Sequence, residues 1–356
     1  MYYPIIRTRE AELFAFEHIS IDSLDSIVPI FELTRSRRTI KDKEGLIEKN
    51  IERILNITDG RQFIIDFTTD SELDNSQIAA FSNKANGFYN WCNFCLQLKQ
   101  RNNNIIPCLA LIGDCNDEDL LLEINNLSQN FEKLAFRIPL NIQSSITNQN
   151  MLTLIDEIIR KNLDIKNKFL FIFDFSYIPK EYSTDQVYET HISLLTDFIS
   201  KLQLIDNPLI IASSSFPRSV TEYSSEQSGN FPIKELILYP KFHRSIKSLQ
   251  YGDYASIHPI MYSSFGGSWI PRIDIPYVDR YYFFRYRREE KGYIRAAGDA
   301  MSFLYSQNLS SDFWGIQEIS KASSGSPSKS NPSFWISIRI NLHVYNILKQ
   351  LSVLNF

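Results

Sequence analysis

Short apolar runs rich in Ile, Val and Phe alternate along the chain with longer stretches in which apolar residues recur every three or four positions. Eight of the runs read as strands. They are IVPIFEL (27–33), QFIIDFT (62–68), IIPCLAL (105–111), LAFRIPL (134–140), FLFIFDF (169–175), PLIIASS (208–214), YASIHPI (254–260) and YYFFRY (281–286). Between most of them lie amphipathic helical patterns such as EGLIEKNIERILNI, EDLLLEINNLSQNF and QVYETHISLLTDFISKL. Strand starts recur every ~35 residues, the span of one β-loop-α-loop unit. Near-continuous apolar strands imply a parallel sheet covered on both faces. Eight such units predict an α/β fold, a single TIM-type (β/α)8-like barrel. No G-x-G-x-x-G or Walker-type turn follows a strand, which counts against an open nucleotide-binding sheet.

The rhythm breaks at 214–250, where a polar loop precedes IKELILYPKFHRSIKSL, and at 259–280, a Gly/Pro/aromatic stretch. In a barrel both would follow strands, on the face where such enzymes place their sites. The barrel is expected over 1–319, a flexible Ser/Pro/Gly segment over 320–333, and a C-terminal helix packed on the barrel over 334–356. The opening MYYPIIRTREAEL reads as a helix capping the barrel floor, which makes Arg7, Arg9 and Glu12 structural.

Strand parity locates the candidate chemistry. In QFIIDFT, Asp66 shares a side with Ile64; in FLFIFDF, Asp174 shares one with Leu170 and Ile172, opposite four phenylalanines; in IVPIFEL, Glu32 follows Val28 and Ile30. Barrel interiors favour branched aliphatics, and aromatics fit better against the outer helices. Glu32, Asp66 and Asp174 are therefore expected to point inward at the C-terminal strand ends. Arg137 and Arg285 are expected to reach the same mouth. Three acids there could do acid/base work or hold a divalent metal, with the arginines binding a phosphate or carboxylate. The competing reading is a set of helix caps or a buried ion-pair network. His258, ending a predicted strand, is a further acid/base candidate. Asp253 in YGDYASIHP is placed at the start of the seventh strand, on the floor, accepting backbone N–H bonds in a turn. Should that strand end near Tyr254, the two exchange roles.

Composition narrows the setting. The 356 residues carry a formal charge of −4, so no global basic footprint marks a nucleic-acid coat protein. A local contact remains open at DRYYFFRYRREEKGY, where Arg287 and Arg288 neighbour Tyr281, Tyr282 and Tyr286 and could hold a single strand. The start lacks a signal-peptide pattern, and no window holds ~18 consecutive apolar residues. A cytoplasmic protein without membrane contact is expected. Cys92, Cys95, Cys108 and Cys115 could form a zinc set, but helical spacing of the first two and a strand position for Cys108 favour buried thiols.

The opening Tyr3-Pro4, Arg7, Arg9 and Glu12, then PIFEL with Glu32, the internal Gly252-Asp253-Tyr254, and a closing segment with Trp335 and His343 resemble the beta family proteins. These are named after a satellite-phage protein and occur in bacteria and mobile elements. The resemblance implies a barrel-like α/β domain and a setting of phage defence or mobile-element conflict, with no settled chemistry. Where the family pattern tends to pair histidines, Leu342 precedes His343, which counts against a two-histidine metal site. The leading expectation is an effector or accessory component of an anti-phage or toxin-like system, hydrolysing a phosphorylated or nucleic-acid substrate at the mouth. The alternative is a non-catalytic barrel that senses a phage component or scaffolds a partner protein of the same system, using the loops 214–232 and 259–280.

Overall fold

A computed structural model describes residues 1–113, 116–261, 269–309 and 313–353. Its main sheet holds eight parallel strands: β1 (Tyr2–Arg7), β2 (Ile30–Leu33), β3 (Phe63–Phe67), β4 (Ile105–Pro107), β5 (Leu134–Pro139), β6 (Phe169–Tyr177), β7 (Leu209–Ser214) and, beyond a strand β8 (Ser228–Pro232) that belongs elsewhere, β9 (Leu249–Asp253). They lie in the order β4-β3-β2-β1-β9-β7-β6-β5. A bridge from Cys108 to Ala135, with the Leu109 N–H donating to the Ala135 carbonyl at 2.8 Å, joins the two outer strands. Helices surround the sheet, and the fold is a TIM-type barrel. Among the described residues no helix is long and apolar enough to cross a membrane.

Alternation sorts the side chains as parity predicts. Tyr3, Ile5, Val28, Ile30, Ile64, Ile106, Ala135, Leu170, Ile172, Ile210 and Ala212 fill the interior. Phe31, Phe63, Phe136, Phe169, Phe171 and Phe173 face the helices and join the outer core. The split follows volume: the narrow interior takes aliphatic and small residues, whereas the gap to the helices accommodates rings.

Three of the predicted elements differ. MYYPIIR is not a capping helix but the first barrel strand, buried along its whole length between β2 and β9. The helix Glu10–Phe16 follows it. Pro4 stands within this central strand, an unusual place for proline. YASIHPI is not a strand either: the last barrel strand ends at Asp253, and Ala255 (φ 44°) and Ser256 (φ 67°) take left-handed conformations that end the extended run. YYFFRY lies outside the barrel. It falls in β11 (Arg280–Arg285), which pairs antiparallel with β10 (Arg272–Tyr277) across a two-residue turn and with β8 on its other side. A tight turn can only join antiparallel neighbours, so this hairpin could not continue a parallel sheet.

That small sheet packs with the helices Gly292–Ser306, Trp314–Ser323 and Pro332–Val353 around a second core that includes Ile273, Ile275, Tyr293, Met301, Trp335 and Ile338. The final helix also lies along the helix Glu10–Phe16, with Ile340, Val344 and Ile347 entering the main core. It thereby ties the two ends of the chain together.

Candidate functional site

At the C-terminal ends of the strands, β2, β3, β5 and β6 each contribute one inward polar residue two positions beyond the last inward aliphatic residue: Glu32, Asp66, Arg137 and Asp174. Arg137 sits where the three carboxylates converge. Its Nη1 donates to Glu32 Oε2 at 2.7 Å and Asp66 Oδ2 at 2.8 Å, its Nε to Asp174 Oδ2 at 2.8 Å, and its Nη2 to the Tyr254 hydroxyl at 3.0 Å. Tyr254 in turn donates to Asp174 Oδ2 at 2.7 Å. Arg7, at the end of β1, donates from Nε to Glu32 Oε1 at 3.2 Å and from Nη2 to the Pro259 carbonyl. Its Nη1 is buried without a partner. These residues line a mouth cavity of about 380 Å3, closed at one side by Pro259 and Ile260.

The electrostatics separate the acids. Burial alone would raise Glu32, but Arg137 and Arg7 outweigh it and hold this carboxyl below its usual range. Burial raises Asp66, and the neighbouring Glu32 adds to the shift against the pull of Arg137. Burial and the Asp174 charge push the Tyr254 phenol well above its usual range. The guanidinium occupies the point at which a divalent ion would have to sit. Among the described residues no group of three or more His, Cys, Asp or Glu is arranged to hold a metal, so the acids do not fit the metal role open to them from sequence.

Sequence reasoning brings Glu32, Asp66, Asp174 and Arg137 to this place, and the structure assembles all four. It adds Arg7, expected as a floor residue, and Tyr254. Both carry a parity signal once YYPIIR is read as a strand and YGDYA as a strand end. Three candidates lie elsewhere. Arg285 donates to the Glu226 and Ser225 carbonyls at 3.0 and 2.7 Å in the small sheet. Arg287 lies exposed beyond that sheet, 3.9 Å from Glu289. His258 stands at the rim with its ring 4.3 Å from that of Tyr177, and burial lowers its proton affinity. The cysteines form no common site among the described residues: Cys108 lies inside the barrel wall, Cys92 and Cys95 outside it, and Cys115 is outside the described residues. Burial pushes the Cys92 thiol up to about 12, and it raises those of Cys95 and Cys108 well above their usual range.

A second polar cluster lies behind the mouth, on the outer face of the same strand end. Asp253 is at the top of β9, not the floor, and faces away from Tyr254. Its Oδ1 accepts from the Tyr2 hydroxyl at 2.5 Å and the Ala255 N–H at 2.8 Å. Its Oδ2 accepts from the Tyr251 hydroxyl at 2.9 Å and meets His343 Nε2 at 2.7 Å. His343 Nδ1 contacts the Tyr281 hydroxyl at 2.9 Å. Burial opposes the Asp253 charge, but His343 and these hydrogen bonds hold its carboxyl below its usual range. Arg9 and Glu12 stand apart: Arg9 reaches Met261 Sδ at 3.2 Å, and burial raises Glu12 in the helix Glu10–Phe16.

Comparison with known proteins matches nearly the whole chain. The family model described as Beta protein covers residues 2–349. The chain is 28% identical over 347 residues to "Protein beta" of Enterobacteria phage P4, covering 96% of this chain and 91% of that protein. Solved structures with partial likeness include the catalytic domain of a family GH18 chitinase from the fern Peteris ryukyuensis, at 10% identity and TM-score 0.38, covering 71% of this chain and 90% of that one. A GH18 chitinase from Pseudoalteromonas aurantia matches at 11% identity and TM-score 0.41, covering 71% and 93%. From Tyr2 to His343 every residue of both polar clusters falls within the matched span, and the chain belongs to the Beta protein family.

Proposed function

We propose that this protein serves phage or mobile-element conflict as an effector or accessory component, together with a partner protein of the same system, and that its barrel mouth performs acid–base chemistry on a phosphorylated or nucleic-acid substrate. The phage P4 relative supports the setting. The chemistry rests on one observation: Glu32 and Asp66 share a single guanidinium nitrogen, at 2.7 and 2.8 Å, on the wall of an open cavity, with proton affinities shifted in opposite directions. Adjacent carboxyls driven apart in this way supply an ionised base and a protonatable acid from one residue type. Arg7 lines the mouth and retains unused donor capacity at its buried Nη1. Arg137, with four partners, positions the carboxyls rather than binding substrate.

That same saturation favours a second reading, in which the network is a structural plug and the barrel senses a phage component or scaffolds its partner. Asp66→Asn separates the two. Asp66 is the most exposed of the three acids, so the change should leave the fold intact. Cells expressing the protein with its native neighbouring genes are challenged with phage, and melting of the purified variant is recorded alongside. Loss of protection with an unchanged melt supports the acid–base reading; full protection by Asp66→Asn sinks it and leaves the scaffold.

A further inference from the structure

Beside the mouth, on the same face of the barrel, lies a larger cleft of about 1090 Å3. The two adjoin through the strands. Arg7 and Glu32 line the mouth, whereas Thr8 and Arg9 beyond β1, and Arg35 to Thr39 beyond β2, line the cleft. Its far wall is the segment around Lys329 and the first turn of the helix Pro332–Val353. Seven basic and two acidic side chains face it, a formal +5 in a chain whose net charge is −4. Neither acid is available to neutralise the surplus. Asp42 accepts the Gly45 and Leu46 N–H groups at 2.8 and 2.9 Å and so shapes its own loop. Glu10 is taken by Arg53 at 2.8 Å, which also pairs with Glu17 at 2.6 Å. Arg9, Arg35, Arg37, Arg38, Lys49 and Lys329 form no ion pair within 4 Å among the described residues, although the Arg9 charge acts on the buried Glu12 behind it. The contacts they do make are neutral: Arg35 to the Glu72 carbonyl at 3.2 Å, and Arg9 to Met261 Sδ at 3.2 Å.

We infer that this cleft binds single-stranded nucleic acid and leads it past the barrel mouth. Like charges held together without acids are costly unless an anion completes them. Six cations spread over separate chain segments suit a run of phosphates better than one, and the cleft exceeds the usual ~300–1,000 Å3 of small-molecule sites. Four of the six are arginines, whose planar forks match phosphate oxygens. Phe14 stands half-buried in the wall with Lys329 Nζ 4.8 Å from its ring centroid. The rings of His18, Trp314 and Phe334 pack around Phe14, so it holds the Lys329 ammonium at the cleft wall to meet a phosphate. The flexible backbone of a single strand lets successive phosphates reach cations set on separate segments, which the fixed spacing of a duplex does not. Binding needs only the cleft; what happens to the strand afterwards rests on the acid–base reading of the mouth.

The test is fluorescence anisotropy of the full chain with labelled 12-nucleotide single-stranded RNA, single-stranded DNA and the matching duplex, over a salt series. Single strands should bind, with a log–log salt slope near −4, since ~0.7 is lost per phosphate contact. The RNA and DNA arms show which sugar is preferred. Arg37, Arg38 and Lys49 are exposed, so the triple change Arg37→Ala, Arg38→Ala, Lys49→Ala leaves the fold unaffected. It should weaken binding at least ~10-fold and reduce the slope by about 2. Anisotropy reads binding alone, with no turnover step, which keeps this result separate from the fate of the mouth chemistry. Absence of single-strand binding overturns the inference, as does an unchanged triple variant. Equal affinity for duplex, or equal competition by polyglutamate, points to a general polyanion or acidic-protein surface and overturns it too.

Discussion

Glu235 lies in the first turn of the helix Lys234–Ser245, where its Oε2 accepts from the Ser215 N–H at 2.9 Å and hydroxyl at 2.6 Å while Oε1 has no partner. Burial, reinforced by the Asp253 charge, lifts this carboxyl from 4.5 to about 7. The folded protein therefore holds the Glu235 proton more tightly than the unfolded chain does. Its stabilising share is complete below pH about 4.5, shrinks as the pH rises, and is gone above about 7. That interval corresponds to about 3 kcal/mol. Glu235→Gln keeps the neutral shape at every pH, so its melting temperature should exceed that of the unaltered protein at pH 8 and match it at pH 4.5. A constant offset between the two pH profiles would refute the protonation. Asp253, its neighbour, works in the opposite sense. Its depressed carboxyl stabilises above the usual aspartate range, and that share disappears as the pH falls.

At the scale of elements, β9 explains the stretch YGDYAS position by position. Tyr251 and Asp253 face the helices, Gly252 and Tyr254 face the interior, and Ala255 and Ser256 turn the chain back with positive φ. Gly252 is demanded by space rather than by its own dihedrals: a Cβ there would come within 2.8 Å of the Tyr3 carbonyl oxygen and 3.0 Å of Ile210 Cγ2. Both are fixed by the barrel wall, since Tyr3 pairs with Gly252 and Ile210 lies on the adjacent β7. Gly252→Ala should push β9 away from β1 and cost about 1–3 kcal/mol, the range for overpacking a filled core. Urea unfolding measures this, and a cost below ~0.5 kcal/mol would show that the wall yields. The final helix shares this region. His343 meets Asp253, and Arg339 pairs with Asp274 at 3.0 Å while reaching Ser256 Oγ at 3.2 Å, so helix, β9, β10 and the turn after β9 are pinned by a buried ion pair and a buried imidazole–carboxylate hydrogen bond.

For the molecule as a whole, Arg137 is the cross-brace. One side chain from β5 contacts residues of β2, β3 and β6 and the turn after β9, joining strands from different sides of the barrel. Arg137→Met would leave three carboxylates crowded together with only Arg7 on Glu32, and loss of one partner from a buried ionic set typically costs about 3–5 kcal/mol. Unfolding at pH 5 and pH 8 should show a larger loss at pH 8, because protonation relieves the repulsion at the lower pH. Equal losses would mean that packing, not charge, makes Arg137 matter. Much of this organisation is legible from the chain alone. Alternation within 27–33, 62–68, 134–140 and 169–175 is local, and it already dictates which side chains share a barrel interior; Glu32, Asp66, Arg137 and Asp174 follow from it. The βα period likewise requires a parallel sheet covered on both faces. What periodicity does not carry is which run pairs with which. YYPIIR reads as part of a capping helix and YYFFRY as a barrel strand, yet tertiary hydrogen bonding puts the first inside the barrel and the second in an antiparallel hairpin. Strand polarity and ends depended on it too, so Asp253 moved from floor to rim and met His343, 90 residues distant. The cationic cleft was beyond local reading for the same reason: its residues come from the two ends of the chain, and proximity between distant segments is a property of the closed barrel, not of any window of sequence.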